Sequence, residues 1–273
     1  MPRLRLLAAA AALVSPALPA STASAERFVA VDAQNRLYAF DDSKPGDWKR
    51  SALRGLAAGE RIVGIDVRPA NRQLVAVTNQ SRLYTVSRSK RKVTAIGAAA
   101  LMPALAGSSF GFDFNPTVDR IRLVSGGGQN LRLQPDTGVV AATDQPLVYK
   151  AGDGGAGVPP AVLGSAYTNS VRAAMTTTLY GIDSARDTLV IQAPPNDGVL
   201  STVGALGVNL AGPLGFDISA RDGGAYVLAR RAGLPRSRLF RLDLMTGRAT
   251  QVGVVSRAPS LVALAALSAP KAR

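Results

Sequence analysis

The sequence GFDFNP, from Gly111 to Pro116, is one copy of a repeat that decides the fold. A second copy, GIDVRP, spans Gly64–Pro69, and a third, GFDI, spans Gly215–Ile218. The copies are 47 and then 104 residues apart, as expected if a period near 50 residues hides one degenerate copy. We place that copy at Ser165–Asn169, with Tyr167 in the position that Asp holds elsewhere.

A second marker, a Leu with one residue on either side, repeats independently of the first. Its copies are spaced by 46, 48, 58 and 50 residues: Arg36–Tyr38, Arg82–Tyr84, Asn130–Arg132, Thr188–Val190 and Arg238–Phe240. Three copies are followed 14 or 15 residues after the Leu by a Gly that closes the unit, at Gly97, Gly204 and Gly253. The chain therefore contains five units of about 50 residues.

Within a unit, apolar residues recur at a period near two and turn residues interrupt them every few positions. The second unit predicts four strands: 62–67, 73–78, 82–87 and 92–97. Four strands in about 50 residues are typical of a propeller blade. We therefore predict an all-β, five-bladed β-propeller of four-stranded blades.

The two ends of the chain complement each other. The first unit, from Phe28 to about Leu53, has only three strand-like segments, whereas Leu261–Leu267 is a surplus apolar segment after the fifth unit. We predict that this C-terminal strand completes the first blade and closes the ring. The predicted propeller domain covers residues 26–270 and is followed by a basic tail at 271–273.

Residues 1–25 read as a cleavable signal peptide. Arg3 and Arg5 precede an apolar stretch, Leu6–Pro19, and Ala23-Ser24-Ala25 is a small-residue cleavage site. The mature chain would begin at Glu26, carry 30 basic and 18 acidic residues, and be exported to the periplasm or the cell exterior with a net charge of +12. No later apolar run has the ~18 residues of a membrane helix.

The composition excludes several chemistries. The chain has no Cys and no His, which rules out disulfides, thiol nucleophiles, the usual zinc sites and a Ser-His-Asp triad. Any metal must be bound through oxygen, and any catalysis must use Asp, Tyr or Arg. The chain is predicted to be a monomer.

Several longer motifs resemble one bacterial family. They comprise the GFDFNP motif, Val118–Arg122, Gln129–Arg132, Pro135–Gly138, Thr178–Asp183 and Pro194–Gly198. Together they are similar to the exported family described as domain of unknown function 4394, over essentially the whole mature chain. The resemblance implies a propeller-like exported protein, and it brings no catalytic residue with it.

The repeated carboxylates Asp66, Asp113 and Asp217 are candidate metal ligands. Each lies third in the opening strand of its unit, which is the strand nearest the axis of a propeller. Three oxygens, helped by Asn115 or Tyr167, could hold calcium, which takes six to eight oxygen ligands. The alternative is that each Asp accepts hydrogen bonds from backbone amides as a repeated structural device.

Departures from the repeat are candidates for ligand binding. The third and fourth units carry polar residues that the other units lack; with the repeat carboxylate they form the predicted site Asp113, Asn115, Arg120, Arg122, Asn130, Arg132, Tyr167 and Asn169. Its Arg residues could bind anionic or hydroxyl groups of a glycan or phosphate. A solvated strand face with alternating Arg and Leu is the alternative.

Two further segments stand out between and within the units. Asp144–Leu163 is an insertion that contains the GDGGAG motif, Gly152–Gly157. Because Pro residues and not a helix follow this motif, it does not predict a dinucleotide site. Asp144, Tyr149 and Asp153 of the insertion could still cover a ligand. Arg82, Arg88, Lys90, Arg91 and Lys92 form the densest basic cluster. This cluster is compatible with an anionic envelope polymer or with solvated charge, and no specific nucleic-acid motif is present.

These observations favour an exported binding or scaffold module over an enzyme. The alternative is a glycoside or phosphoryl hydrolase that uses a pair of Asp residues, such as Asp66 with Asp113 or Asp113 with Asp217. The chain has only two Glu, Glu26 and Glu60, and nothing separates such an Asp pair from the repeat.

Overall fold

A computed structural model describes residues 25–255 and 261–269 of the chain. Within them, 21 strands form five sheets, accompanied by one short 3₁₀ helix at Pro195–Asp197. The predicted signal peptide, apart from Ala25, and the predicted basic tail lie outside the described residues. No helix among the described residues is long and apolar enough to cross a membrane.

Each blade is one antiparallel sheet of four strands, and blade 4 has a fifth. Blade 1 contains β1 (Arg27–Asp32), β2 (Arg36–Asp41) and β3 (Lys49–Ala52). Blade 2 contains β4 (Ile62–Val67), β5 (Leu74–Thr78), β6 (Leu83–Ser87) and β7 (Lys92–Ile96). Blade 3 contains β8 (Phe110–Asn115), β9 (Arg120–Ser125), β10 (Asn130–Leu133) and β11 (Val140–Thr143).

The remaining strands form the last two blades and the closing strand. Blade 4 contains β12 (Val148–Tyr149), β13 (Val162–Tyr167), β14 (Leu179–Asp183), β15 (Thr188–Gln192) and β16 (Val199–Ala205). Blade 5 contains β17 (Leu210–Ile218), β18 (Ala225–Arg231), β19 (Ser237–Leu242) and β20 (Ala249–Val254), and β21 spans Leu261–Ala266. The all-β, five-bladed propeller predicted from the repeats is confirmed.

The ring closes as the sequence predicts. β21 pairs antiparallel with β1, with Val29 opposite Ala265, and so becomes the inner strand of blade 1. The first and last described strands therefore share one sheet, which leaves the ring no free inner edge.

The inner strands β4, β8, β13, β17 and β21 lie side by side around the axis. The Gly of the repeat permits this close approach. A Cβ atom at Gly64 would lie 2.7 Å from the Phe112 Cβ, and one at Gly111 would lie 2.4 Å from the Ser165 Oγ. The repeated Gly is thus explained by packing between successive blades, and the apolar residues between blades form the core.

The insertion after blade 3 supplies a strand that we did not predict. β12 pairs in parallel with β16 and becomes the outermost strand of blade 4. Two residues of strand leave too little periodicity to identify it from sequence. By contrast, the four strands predicted in blade 2 match β4–β7 to within one residue at each end.

Candidate functional site

Three carboxylates meet at the axis of the ring. Asp66, Asp113 and Asp217 occupy equivalent positions on β4, β8 and β17, and each is at least 96% buried. One oxygen from each lies within 4.8 Å of the others. The structure therefore brings together the three residues that were predicted as metal ligands, and whether they bind a metal stays a prediction.

These carboxylates also accept hydrogen bonds from the inner strands. Asp66 accepts the amides of Val67 and Phe114, at 2.5 and 2.8 Å. Phe114 belongs to the next blade, so the Asp66 side chain joins blades 2 and 3. The backbone role considered for these Asp residues is thus observed, with the addition that it links neighbouring blades.

The same pattern continues around the ring. Asp113 accepts the amide of Tyr167 in blade 4 at 3.1 Å. Asp217 accepts the amides of Ile218 and of Ala266 in the closing strand, both at 2.6 Å. Five carboxylate oxygens thus pair with one amide from each of the five inner strands, whereas Asp113 Oδ2 accepts no hydrogen bond among the described residues.

The predicted place of Tyr167 in the repeat is wrong by one residue. The amides that donate this inter-blade hydrogen bond belong to the residue after the Asp position, as in Phe114 and Ala266. Tyr167 donates in the same way, so Ala166 occupies the Asp position of blade 4. Gly164, and not Ser165, matches the repeated Gly.

Burial raises the pKa values of all three axial carboxyl groups, and a neighbouring negative charge adds to the rise: that of Asp217 for Asp66 and that of Glu26 for Asp217. Burial acts most strongly on each, and the charges of Asp66 and Asp217 further raise the pKa of Asp113. The pKa of Asp217 rises to about 7. The Arg72 charge and the backbone amides oppose this rise at Asp66 and Asp217, but burial of three close carboxylates still favours their partial neutralisation by protons or a cation.

A small cavity lies on the axis beside the carboxylates. The residues that line it include those directly before the three Asp: Ile65, Phe112 and Phe216. Its volume of about 10 Å³ is close to that needed for one water molecule. Ser165 also lines this cavity, and its buried Oγ has no hydrogen-bond partner among the described residues.

Most of the predicted ligand-binding residues lie between blades 3 and 4. Arg122 is 97% buried and is the centre of this interface. Its Nη1 donates to Asn130 Oδ1 at 2.7 Å and to Asp144 Oδ2 at 2.6 Å, while its Nη2 donates to Asn196 Oδ1 at 2.7 Å. The guanidinium is therefore bound by protein groups and is not presented to solvent.

The other members of the predicted site are also largely paired within the protein. Arg132 forms two hydrogen bonds to Asp144, and Asn115 accepts from the amide and hydroxyl of Thr117. Arg120 donates to the carbonyls of Val118 and Asp119, and Asn169 donates to the carbonyl of Thr176. Ligand binding by this set stays a prediction, and the contacts assign it a structural role.

Tyr167 is the exception. Its hydroxyl is buried and has no hydrogen-bond partner among the described residues, and the same is true of Arg122 Nε. Burial raises the pKa of Tyr167, while nearby Arg122 and Asn115 act in the opposite direction. These two unpaired groups leave unused hydrogen-bonding capacity at the interface.

Sequence reasoning missed the partners that complete these interfaces. Asn196 lies in the Pro194–Gly198 motif, which carries the family resemblance. Arg68, at the end of the blade 2 repeat, pairs with both Asp119 and Asp136 of blade 3. Charged residues within long polar motifs were the available signal, but their partners are 51 and 68 residues away.

The insertion is attached to blade 4 by hydrogen bonds. Asp153 accepts hydrogen bonds from the amide and hydroxyl of Thr202, both at 2.7 Å. Tyr149 is buried and donates to Asp183 at 2.5 Å. Asp144, Tyr149 and Asp153 thus attach the insertion to the blades, and whether they also cover a ligand stays a prediction.

The predicted basic cluster extends over two blades. Arg88, Lys90, Arg91 and Lys92 lie in and after the turn between β6 and β7 and are exposed. Arg54, which follows the outer strand of blade 1, forms an isolated parallel bridge with Lys92. We call the exposed set the basic edge: Lys49, Arg50, Arg54, Arg88, Lys90, Arg91 and Lys92.

Comparison with known sequences gives one family and no individual relative. The model of the family described as domain of unknown function (DUF4394) matches residues 36–265. No curated protein sequence matches the chain.

Two solved structures are similar to the chain at low sequence identity. A structural genomics protein of unknown function from Bacteroides thetaiotaomicron VPI-5482 is 15% identical, with a TM-score of 0.52, over 89% of this chain and 62% of that chain. PorZ, a surface component of the type-IX secretion system of Porphyromonas gingivalis, is 13% identical, with a TM-score of 0.41, over 81% and 27%. The chain therefore spans less than two thirds of either protein, and the likeness to the Bacteroides thetaiotaomicron protein shows the fold alone.

Proposed function

The chain belongs to the family described as domain of unknown function (DUF4394), and we propose that it is an exported, non-catalytic propeller that binds an anionic polysaccharide of the cell envelope. The observation that carries this proposal is the distribution of charge around the ring. The predicted signal peptide supports export.

Most of the net positive charge lies in one sector. Residues 48–112 contain eleven Lys and Arg and only two acidic residues, a net charge of +9 out of +12 for residues 26–273. The two acidic residues, Glu60 and Asp66, are buried. Residues 48–112 consequently contribute no exposed carboxylate of their own, although Arg68 pairs with Asp119 and Asp136 of blade 3, and a uniformly basic composition does not explain this pattern.

The basic edge forms the outer part of this sector. None of its seven residues makes a salt bridge within the described part of the chain. The amide of Arg54 donates to the Arg91 carbonyl at 3.0 Å, and the amide of Val93 donates to the Arg54 carbonyl at 2.9 Å. Arg54 of blade 1 is therefore held beside Arg91 and Lys92 of blade 2, so the cations of the two blades lie next to each other, an arrangement that suits a linear polyanion.

The chemistry of the edge favours a polysaccharide over single-stranded nucleic acid. Proteins that bind single-stranded nucleic acid stack bases on exposed aromatic rings. The aromatic residues nearest the edge, Trp48 and Tyr84, instead pack inward: Trp48 lies edge-on to Tyr38, with ring centroids 5.0 Å apart, and Tyr84 is buried. The edge thus offers charge without a stacking surface.

Charge reversal on the basic edge tests this proposal. We expect Arg54→Glu, Arg88→Glu and Lys92→Glu together to weaken binding to dextran sulfate by at least about tenfold, because binding of polyanions depends on the number of cations engaged. The matched control is Arg231→Glu, Arg236→Glu and Arg248→Glu, three exposed residues of blade 5 with the same total change in charge.

Calorimetric titration of both variants and of the unmodified protein gives the comparison. The proposal predicts that the control retains binding within about threefold. Equal loss in both variants would show that only net charge matters, and tighter binding to duplex DNA than to dextran sulfate would contradict a polysaccharide partner.

The axial carboxylates do not support the hydrolase alternative. Asp66, Asp113 and Asp217 are buried beside a cavity of about 10 Å³, which is far smaller than a sugar ring. A glycosidase also needs its carboxyl groups on either side of a scissile bond. Neither Asp pair has that access.

A cation at the axis is a second candidate function, and it concerns the scaffold. Three carboxylates converge within 4.8 Å, Asp113 Oδ2 accepts no hydrogen bond among the described residues, and the unpaired Ser165 Oγ lines the adjoining cavity. Hard cations such as calcium bind to oxygen ligands of this kind.

The pH dependence of stability tests the axial cation. The axial pKa values are raised, so the folded protein holds protons that the unfolded chain releases above about pH 4. In chelator, we expect the melting temperature to fall as pH rises through about 7, the pKa of Asp217, by at least about 5 °C between pH 5 and 8.5.

Calcium should restore most of this loss at pH 8.5, and elemental analysis should find one ion per chain. Asp113→Asn is the control, because it removes a central charge while keeping an acceptor for the Tyr167 amide. Flat melting temperatures from pH 5 to 8.5 would contradict the raised pKa values. If neither bound metal nor a calcium response were found, only protons would neutralise the axial carboxylates, and the axial cation would be contradicted.

A further inference from the structure

Glu26 joins three parts of the ring. It is fully buried, and its Oε1 accepts the amide of Ser268, which follows the closing strand, at 3.0 Å. Its Oε2 accepts the hydroxyl of Ser219 in blade 5 at 2.5 Å and lies 3.6 Å from Arg221 Nε. The residue predicted to begin the mature chain is therefore part of the ring closure.

The backbone nitrogen of Glu26 is placed on a second carboxylate. It donates to Asp42 Oδ1 at 2.9 Å, and Asp42 Oδ2 accepts the hydroxyl of Tyr226 at 2.9 Å. The amide of Asp42 in turn donates to the carbonyl of Glu26 at 3.1 Å. These bonds fix the nitrogen of Glu26 and the Asp42 carboxylate relative to each other.

Cleavage before Glu26 would change the charge of that nitrogen. Hydrolysis of the Ala25–Glu26 peptide bond adds water, leaving a carboxylate on Ala25 and an α-ammonium on Glu26. An α-amino group has an ordinary pKa near 8, so it is mostly protonated at neutral pH. A neutral hydrogen bond to Asp42 would then become an ion pair, and hydrogen bonds between charged groups are stronger than neutral ones.

We propose that cleavage between Ala25 and Glu26 creates an ammonium that pairs with Asp42 and completes the ring closure. Removal of the leader is then a step that stabilises the folded propeller. This inference rests on the export proposed above, although the ion pair itself can be measured without export.

Cleavage also removes one hydrogen bond, which opposes the stabilisation by the new ion pair. Before cleavage, Arg221 Nη1 donates to the Ala25 carbonyl at 2.9 Å, and this bond leaves with the leader. Arg221 keeps its interactions with Glu26 and Asp222. Cleavage therefore costs Arg221 one hydrogen bond, while its guanidinium keeps the carboxylates of Glu26 and Asp222 as neighbours.

Two chains of defined length test the ion pair. One begins at Glu26, and the other begins at Ala23, which moves the ammonium three residues away from Asp42. We expect the chain that begins at Glu26 to melt about 2–4 °C higher at pH 7. Since pairing with Asp42 raises the pKa of the ammonium, this advantage should disappear as pH rises to about 10.

Asp42→Asn in both chains is the control and should abolish the difference in melting temperature. Equal melting temperatures of the two chains with Asp42 intact, or a difference that persists in Asp42→Asn, would overturn the ion pair. N-terminal sequencing of the protein exported from cells that express the full chain tests the cleavage site separately. We expect Glu-Arg-Phe-Val, and any other N-terminus would overturn processing at Ala25 without affecting the export proposal.

Discussion

Asp66→Ala is expected to lower the free energy of unfolding by about 2–5 kcal/mol, because the substitution leaves two buried amides without an acceptor. These amides belong to Val67 and to Phe114 in the next blade. Relief of repulsion from Asp113 and Asp217 offsets part of the loss, so the measurement should be made at pH 5, where protons already reduce that repulsion.

Urea denaturation of the unmodified protein, Asp66→Asn and Asp66→Ala provides the test. Asp66→Asn keeps one oxygen acceptor and should lie between the other two. Asp243→Ala is a control, since Asp243 also accepts backbone and hydroxyl hydrogen bonds but in an exposed turn. A loss from Asp66→Ala no larger than that from Asp243→Ala would contradict the linking role of the axial carboxylates.

Arg122→Met should destabilise the protein by about 2–4 kcal/mol, because the substitution removes three charge-assisted hydrogen bonds that a buried guanidinium makes between blades 3 and 4. The groups that lose a partner are Asn130, Asn196 and one oxygen of Asp144. The substituted side chain is apolar and of similar length, so little of the effect should come from a cavity.

Arg132→Met is the matched control for this prediction. Arg132 pairs with the same Asp144, but its side chain is 37% exposed against 3% for Arg122. Exposed ion pairs contribute about 0–1 kcal/mol, so we expect a loss in that range. Equal losses from the two variants, measured by urea denaturation, would contradict the structural role assigned to Arg122.

The architecture could be predicted because each blade has a similar local sequence pattern. The Gly and Asp of GFDFNP recur with a period set by one blade, and alternation within each unit identifies strands. The first unit lacks a strand and Leu261–Leu267 supplies one, which is enough to predict the closure. None of these arguments needs to know which residues touch across the ring.

The site was harder to predict because it depends on contacts between blades. The sequence indicated that Asp66, Asp113 and Asp217 face the axis, but not that five amides would use five of their oxygens. The sequence also singled out Arg122 because it departs from the repeat. In the structure Arg122 binds Asp144, the first residue of the insertion, and the insertion supplies the fifth strand of blade 4.

The single-residue error at Tyr167 has a similar cause. Gly164 and Ser165 are neighbours and both small, so the sequence does not distinguish which of them matches the repeated Gly, whereas in the structure a Cβ at Gly164 would lie 2.5 Å from Leu214. The amide of Tyr167 on Asp113 settles the register. Tyr167 accordingly points its phenol toward Arg122 and Asn115 and leaves the Asp position to Ala166.

Lysine labelling of the unmodified protein tests the proposed polyanion-binding sector most directly. Lys49, Lys90 and Lys92 lie on the basic edge, whereas Lys150 is exposed on blade 4 and serves as an internal control. We predict that dextran sulfate slows acetylation of Lys49, Lys90 and Lys92 by at least about fivefold and leaves Lys150 unchanged, because bound polyanion covers only the sector that it contacts. Equal protection of all four lysines, or protection of Lys150 alone, would contradict the proposal that the basic edge is the binding surface.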